Sequence, residues 1–205
     1  MVRKATASAK SSPKMFPNDL ETAASQISDD LCVMTQHGDG YRLGAASLCA
    51  PTFWRLSDKI GRPLGGLHEE VPDGDPQLAS RISRIFAGLR PELILERFNW
   101  TVQLGAERYT PTSKPMKQRL TTLSPDDAAA LLHLRVERQT VRKLPVSNAV
   151  LFTIRIALDP LAPILRDSET RAAFRESWQQ TDSRLRQYKG WSHYEASVEH
   201  LLKAA

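Results

Sequence analysis

The sequence predicts an α+β fold, a five-stranded antiparallel sheet with inserted helices and a C-terminal helix. Three observations predict it. Two short apolar runs flank an Asp-Gly turn near the start, three alternating runs fill the second half, and segments with helical spacing lie between and after them. Like elements grouped in runs, rather than strictly alternating, separate α+β from α/β.

The first pair of strands is LCVMTQ (31–36) and YRLGAASLC (41–49), joined through His37-Gly38-Asp39-Gly40. Asp-Gly between apolar runs is a hairpin signal because it supplies the positive φ of a tight turn. Pro51 ends the second strand, and TFWRLSDKI (52–60) reads as a short helix closed by Gly61 and Pro63. GRPLGGLHEEVPDGDP is dense in Gly and Pro and reads as loop. From Pro76 to Leu89, residues Leu78, Ile82, Ile85, Phe86 and Leu89 recur at helical spacing. In ILERFNWTVQL (94–104), Phe98, Trp100 and Val102 alternate with Arg97, Asn99, Thr101 and Gln103. Residues 108–125 carry Pro and Thr and read as an excursion. In LLHLRVERQTVRKL, Leu132, Leu134 and Val136 alternate with His133, Arg135, Glu137 and Gln139; in AVLFTIRIAL, Val150, Phe152, Ile154 and Ile156 alternate with Leu151, Thr153, Arg155 and Ala157. Pro145-Val146-Ser147-Asn148 joins them as a hairpin loop. Residues 168–188 read as a helix with Phe174, Trp178 and Leu185 on its buried face.

Two strands, a helical insert, three strands and a closing helix is the order of a PAS domain, whose sheet presents one face to a pocket closed by the inserted helices. The chain has 205 residues with 41% apolar and 25% charged residues, enough for one core without a disulfide or metal staple. The expected organisation is a basic disordered arm over 1–19, whose first 18 residues hold no acid, and a single domain over 20–205. The net charge of +5 is scattered rather than striped, so no nucleic-acid partner is expected. No apolar run reaches the roughly 18 residues of a membrane span, so no membrane partner is expected either. Two cysteines without metal spacing suit reduced thiols in a cytoplasmic protein. Phosphate-loop, dinucleotide-binding, zinc-hydrolase and nucleophile-elbow motifs are missing from the sequence.

The candidate site residues are polar groups where the pattern demands apolar ones. His68 follows Gly65-Gly66-Leu67, small residues that let a backbone approach a ligand closely. His133 lies within a strand. Arg135, Glu137 and Gln139 share one face of that strand, and burying them costs several kcal/mol unless they pair. Two readings stand for Arg135 and Arg155: pairing with strand neighbours on a solvated face, or meeting the carboxylates of a ligand. Asn99 beside Trp100 is either pocket lining with a polar handle or sheet filler.

Six blocks of this chain resemble the haem-dependent oxidative N-demethylase alpha-subunit-like family: LCVM (31–34), SLCAPTFWRLSDKIGRPLGGLHEEVP (47–72), FNWTV (98–102), LRVERQTVRKLP (134–145), AVLFTIRIALDPL (149–161) and YKGW (188–191). The resemblance implies a PAS-like domain binding haem b, and O2-dependent oxidation of a small methylated amine such as dimethylamine to methylamine and formaldehyde. It implies electrons from NADPH through FMN and a 2Fe-2S cluster on a flavin/iron–sulfur reductase subunit, and a folate-binding subunit that takes up formaldehyde. Carried onto this chain, it makes His68 the axial iron ligand with His133 next, Arg135 and Arg155 candidates for the haem propionates, and Glu137 and Asn99 candidates for the catalytic pocket. A non-catalytic haem or gas-sensing module is the alternative. Family members carry more residues ahead of the LCVM-like block, so the short arm reads as a reduced member or a truncated start, with the substrate wall the part affected.

Overall fold

The computed structural model describes residues 5–8, 17–38, 40–67 and 76–204. The strands are β1 (Ala5–Ser8), β2 (Asp29–His37), β3 (Gly40–Leu48), β4 (Ile94–Leu104), β5 (Leu132–Lys143) and β6 (Val150–Pro160). Among the described residues they form one six-stranded sheet in the order β1-β3-β2-β6-β5-β4. Leaving out the short β1, the five long strands lie in the order 2-1-5-4-3, as in a PAS domain. The five expected strands are all present, and β2 pairs antiparallel with both β3 and β6. Within the expected N-terminal arm, Ala5–Ser8 adds a strand along the outer edge of β3. An uncovered sheet edge offers unpaired backbone groups that such a segment can satisfy.

The helices depart most from the sequence reading. Helix α1 (Pro17–Ser25) precedes β2. The helix expected over 52–60 shrinks to α2 (Leu56–Lys59). The cause is Phe53, held at φ 58°, where no helix can continue. Its N–H donates to the Thr110 carbonyl at 2.7 Å, and the Thr110 N–H donates to Pro51 at 3.2 Å. The Gly-rich loop contains α3 (Leu64–Leu67), and α4 (Pro76–Gly88) follows as expected. The excursion folds into α5 (Lys114–Leu120) and α6 (Pro125–Leu131), the latter capped by Ser124 accepting from the Asp127 N–H. After α7 (Leu161–Ile164), the expected C-terminal helix is two, α8 (Ser168–Gln180) and α9 (Ser183–Tyr188). Asp182 caps the second of these. A 3-10 turn (Trp191–His193) and α10 (Glu195–Ala204) end the described chain.

The chain divides into two compact units. The first holds residues 1–99, 108–112 and 137–156; the second holds 100–107, 113–136 and 157–205, so β4, β5 and β6 each contribute to both. In the first unit, Cys32 and Met34 of β2, Tyr41, Leu43, Ala46 and Leu48 of β3, Phe86 of α4 and Leu89 just after it form one buried cluster. Each large apolar side chain buried there contributes about 1.5–3 kcal/mol. A bulge makes this possible. Val33 opposes Ala45 while Met34 opposes Leu43, so Gly44 is the extra residue that returns Ala46 and Leu48 to the core face. A Cβ at Gly44 would sit 2.7 Å from the Thr35 hydroxyl.

The second unit is organised by aromatics. Trp178 stacks on Trp191 at 4.4 Å, Trp100 meets Trp191 at 4.6 Å, and the Trp191 indole N–H donates to the Thr101 hydroxyl at 3.0 Å. The Arg186 guanidinium lies over Trp178, 4.8 Å from the ring centroid. No helix among the described residues is long and apolar enough to cross a membrane.

Candidate active site

Strand β5 carries the polar positions that the alternation puts on one face. Burial confirms the assignment: Arg135 is 0% exposed, Glu137 8% and Gln139 5%. The solvated Arg135–Glu137 pairing expected as one reading is not what forms. Each residue finds a partner across the strand pair instead, because buried polar groups must be satisfied and β4 supplies Arg97 to Gln139, Asn99 to Glu137 and Gln103 to Arg135.

In the first unit, Glu137 is the centre of a hydrogen-bonded cluster. Its Oε1 accepts from the Thr52 hydroxyl at 2.6 Å, and its Oε2 accepts from Asn99 Nδ2 at 3.2 Å and Gln139 Nε2 at 2.7 Å. The Gln139 Oε1 accepts in turn from Arg97 Nε at 2.6 Å. These cross-strand bonds run in opposite senses along β4 and β5, which therefore lie antiparallel. Thr52 reaches the cluster from the strained turn at Phe53, so the Pro51–Thr110 clamp sets one of the three donors on the carboxylate. The arrangement is a carboxylate held in one orientation by neutral donors, suited to receive a cation or a proton from a small ligand.

The second unit contains Arg135 and His133. Arg135 Nη1 donates to Gln103 Oε1 at 3.0 Å, and Gln103 Nε2 donates to the Gly105 and Glu107 carbonyls at 2.9 Å each. Arg135 therefore fixes the end of β4 and is fully buried. His133 is half-buried, with Nδ1 at 2.9 Å from the Leu131 carbonyl. A carbonyl only accepts, so in a neutral ring Nδ1 carries the proton and Nε2 keeps its lone pair. That is the state a metal-ligating histidine takes.

Arg155 projects to the side of β6 opposite Ile154 and Ile156, where its Nε donates to Asp29 at 2.6 Å. It is not brought together with Glu137. His68 lies outside the described residues. The remaining histidines are engaged or peripheral: His37 near the Thr35 hydroxyl, His200 beside Asp126, and His193 in the 3-10 turn.

Of the residues in the Glu137 cluster, the sequence singles out Glu137 and Asn99 but not Thr52 or the reach of Arg97. Gln139 and Arg97 were visible as members of polar alternations. Thr52 carried no signal, because its place depends on a backbone turn that the preceding proline alone does not specify.

The sequence model of the family described as haem-dependent oxidative N-demethylase, alpha subunit-like, matches residues 3–199. That span takes in every long strand and the Glu137 cluster. With the match covering nearly the whole chain, on a sheet in PAS order, this protein belongs to the haem-dependent oxidative N-demethylase alpha-subunit-like family.

Proposed function

We propose that the chain is the haem-binding subunit of an O2-dependent oxidative N-demethylase acting on a small methylated amine such as dimethylamine. The observation that carries the reading is the buried Glu137 carboxylate with its three neutral donors, found in a chain of this family. A small amine is an alkylammonium ion in neutral water, and a fixed carboxylate is the group that pairs with it.

The residues present fit haem b in their donor chemistry. His133 holds one ring nitrogen available, and His68 is the axial ligand that the family resemblance implies. Bound haem supplies O2 binding and redox chemistry that no side chain here can perform. The chain's own residues do the rest. Glu137 pairs with the ammonium group and takes its proton, so that the amine faces oxidation uncharged. Asn99, Gln139 and Thr52 keep the carboxylate from rotating. In the overall reaction, dimethylamine and O2 with two electrons and two protons give methylamine, formaldehyde and water. The electrons come from NADPH through FMN and 2Fe-2S on a reductase subunit, and a folate-binding subunit takes the formaldehyde. A cytoplasmic setting supplies both.

The test is formaldehyde release from dimethylamine by the haem-loaded chain with a flavin/iron–sulfur reductase, for the native protein and Glu137→Gln. The proposal expects turnover in the native protein and a loss of about 100-fold in the variant, the usual contribution of a general base. Haem uptake without turnover of any methylated amine would move the chain to the sensing reading.

A further inference from the structure

We propose that Arg97 holds a haem propionate through the two terminal nitrogens of its guanidinium, a role that rests on the haem-binding reading above. The two arginines that the sequence pointed to are otherwise engaged. Arg135 is fully buried against Gln103, and Arg155 is bonded to Asp29. Arg97 is exposed, and among the described residues its bonded partner is Gln139 alone, through Nε at 2.6 Å. Gln139 is tied by its amide nitrogen to Glu137. The guanidinium is therefore anchored through Nε, and its two Nη groups make up the donor fork whose spacing matches a carboxylate.

The neighbours on the strand strengthen the assignment. Leu95 stands two residues before Arg97 on β4, on the same side by strand alternation, and is 44% exposed; Leu93, just ahead of the strand, is 51% exposed. Exposed leucines leading to an anchored cation present an apolar strip with a positive end. A flat apolar ligand with carboxylates on one edge complements that strip, whereas a free inorganic anion would gain nothing from the leucines.

The experiment compares hemin with iron protoporphyrin IX dimethyl ester, which has the same ring and iron but no carboxylates. Both are titrated by Soret absorbance into the native protein, Arg97→Ala and Arg97→Lys. The native chain is expected to favour hemin over the ester about tenfold, the worth of one charged hydrogen-bonded pair. Arg97→Ala is expected to abolish that preference while binding the ester as the native protein does. Arg97→Lys keeps charge without the fork and is expected to fall between. Hemin binding unchanged in Arg97→Ala, or hemin and ester weakened equally, overturns the assignment while leaving haem binding intact. No saturable binding of either compound to the native chain overturns the haem reading itself, and the role of Arg97 with it.

Discussion

Replacing Glu137 by leucine removes the acceptor at the centre of the first unit's polar cluster and puts an apolar side chain of similar size in a site 8% exposed. Three hydrogen bonds to a charged group, at about 1.5–3 kcal/mol each, set the ceiling of the loss. Burial of the leucine returns about 2 kcal/mol, and the Thr52 hydroxyl can turn to another acceptor. The net expected cost is about 3 kcal/mol. Glutamine at the same position behaves differently. Its oxygen can keep the Asn99 and Gln139 bonds, and its amide can donate to the Thr52 hydroxyl, which accepts as readily as it donates. Glu137→Gln is therefore expected to cost about 1 kcal/mol or less, the difference between charged and neutral bonds offset by the relieved desolvation. Urea unfolding followed by tryptophan fluorescence measures both, and a shift in midpoint at constant slope reports stability alone. A loss below 1 kcal/mol in Glu137→Leu, or equal losses in the two variants, would refute the account of this carboxylate as a satisfied buried acceptor.

Other consequences are as direct. Phe53 sits at φ 58°, so Phe53→Gly should be more stable than Phe53→Ala by about 1 kcal/mol, the ring being absent from both; equal stabilities would remove the strain at this turn. Burial pushes the Tyr194 hydroxyl up to about 12 from its ordinary value of 10. The unfolded chain then loses that proton first, so this contribution to stability is full below pH 10 and disappears as pH rises towards 12. A phenolate titration at 295 nm should show a late component whose ionisation accompanies alkaline unfolding, to which Tyr41, also pushed up by burial, contributes, and Tyr194→Phe should reduce that late component. Cys32 is buried, and desolvation with the nearby Asp30 carboxylate pushes its thiol far up, so the folded protein should leave it unreactive towards a disulfide reagent. Reaction of two thiols at equal rates in the folded state would contradict that burial.

The strands were legible because period-2 alternation is a local property. The reading of 94–104 coincides with β4, and the first hairpin differs from β2 and β3 by two residues or fewer at each end. Alternation also told which polar residues share a face, and so grouped Arg135, Glu137 and Gln139 correctly. It separated Arg155 as well, since Ile154 and Ile156 take the buried side of β6. What alternation does not contain is the partner across the sheet. The sequence suggests Arg135 with Glu137, two residues apart, whereas the bonds form with Gln103 and Asn99 from a strand more than thirty residues earlier. Short helices were the least legible, because a four-residue helix such as α2 has no periodicity to read and begins where Phe53 permits. The break between α8 and α9 was foreshadowed by Asp182, a capping residue inside an otherwise helical stretch.

The most direct measurement is the absorption spectrum of the protein during stepwise addition of hemin, with His68→Ala and His133→Ala alongside. The account predicts a Soret band that rises to a sharp endpoint at one equivalent in the native protein and shifts in the variant that loses the axial imidazole. Absorbance that rises without a break, as free hemin alone would give, would contradict it.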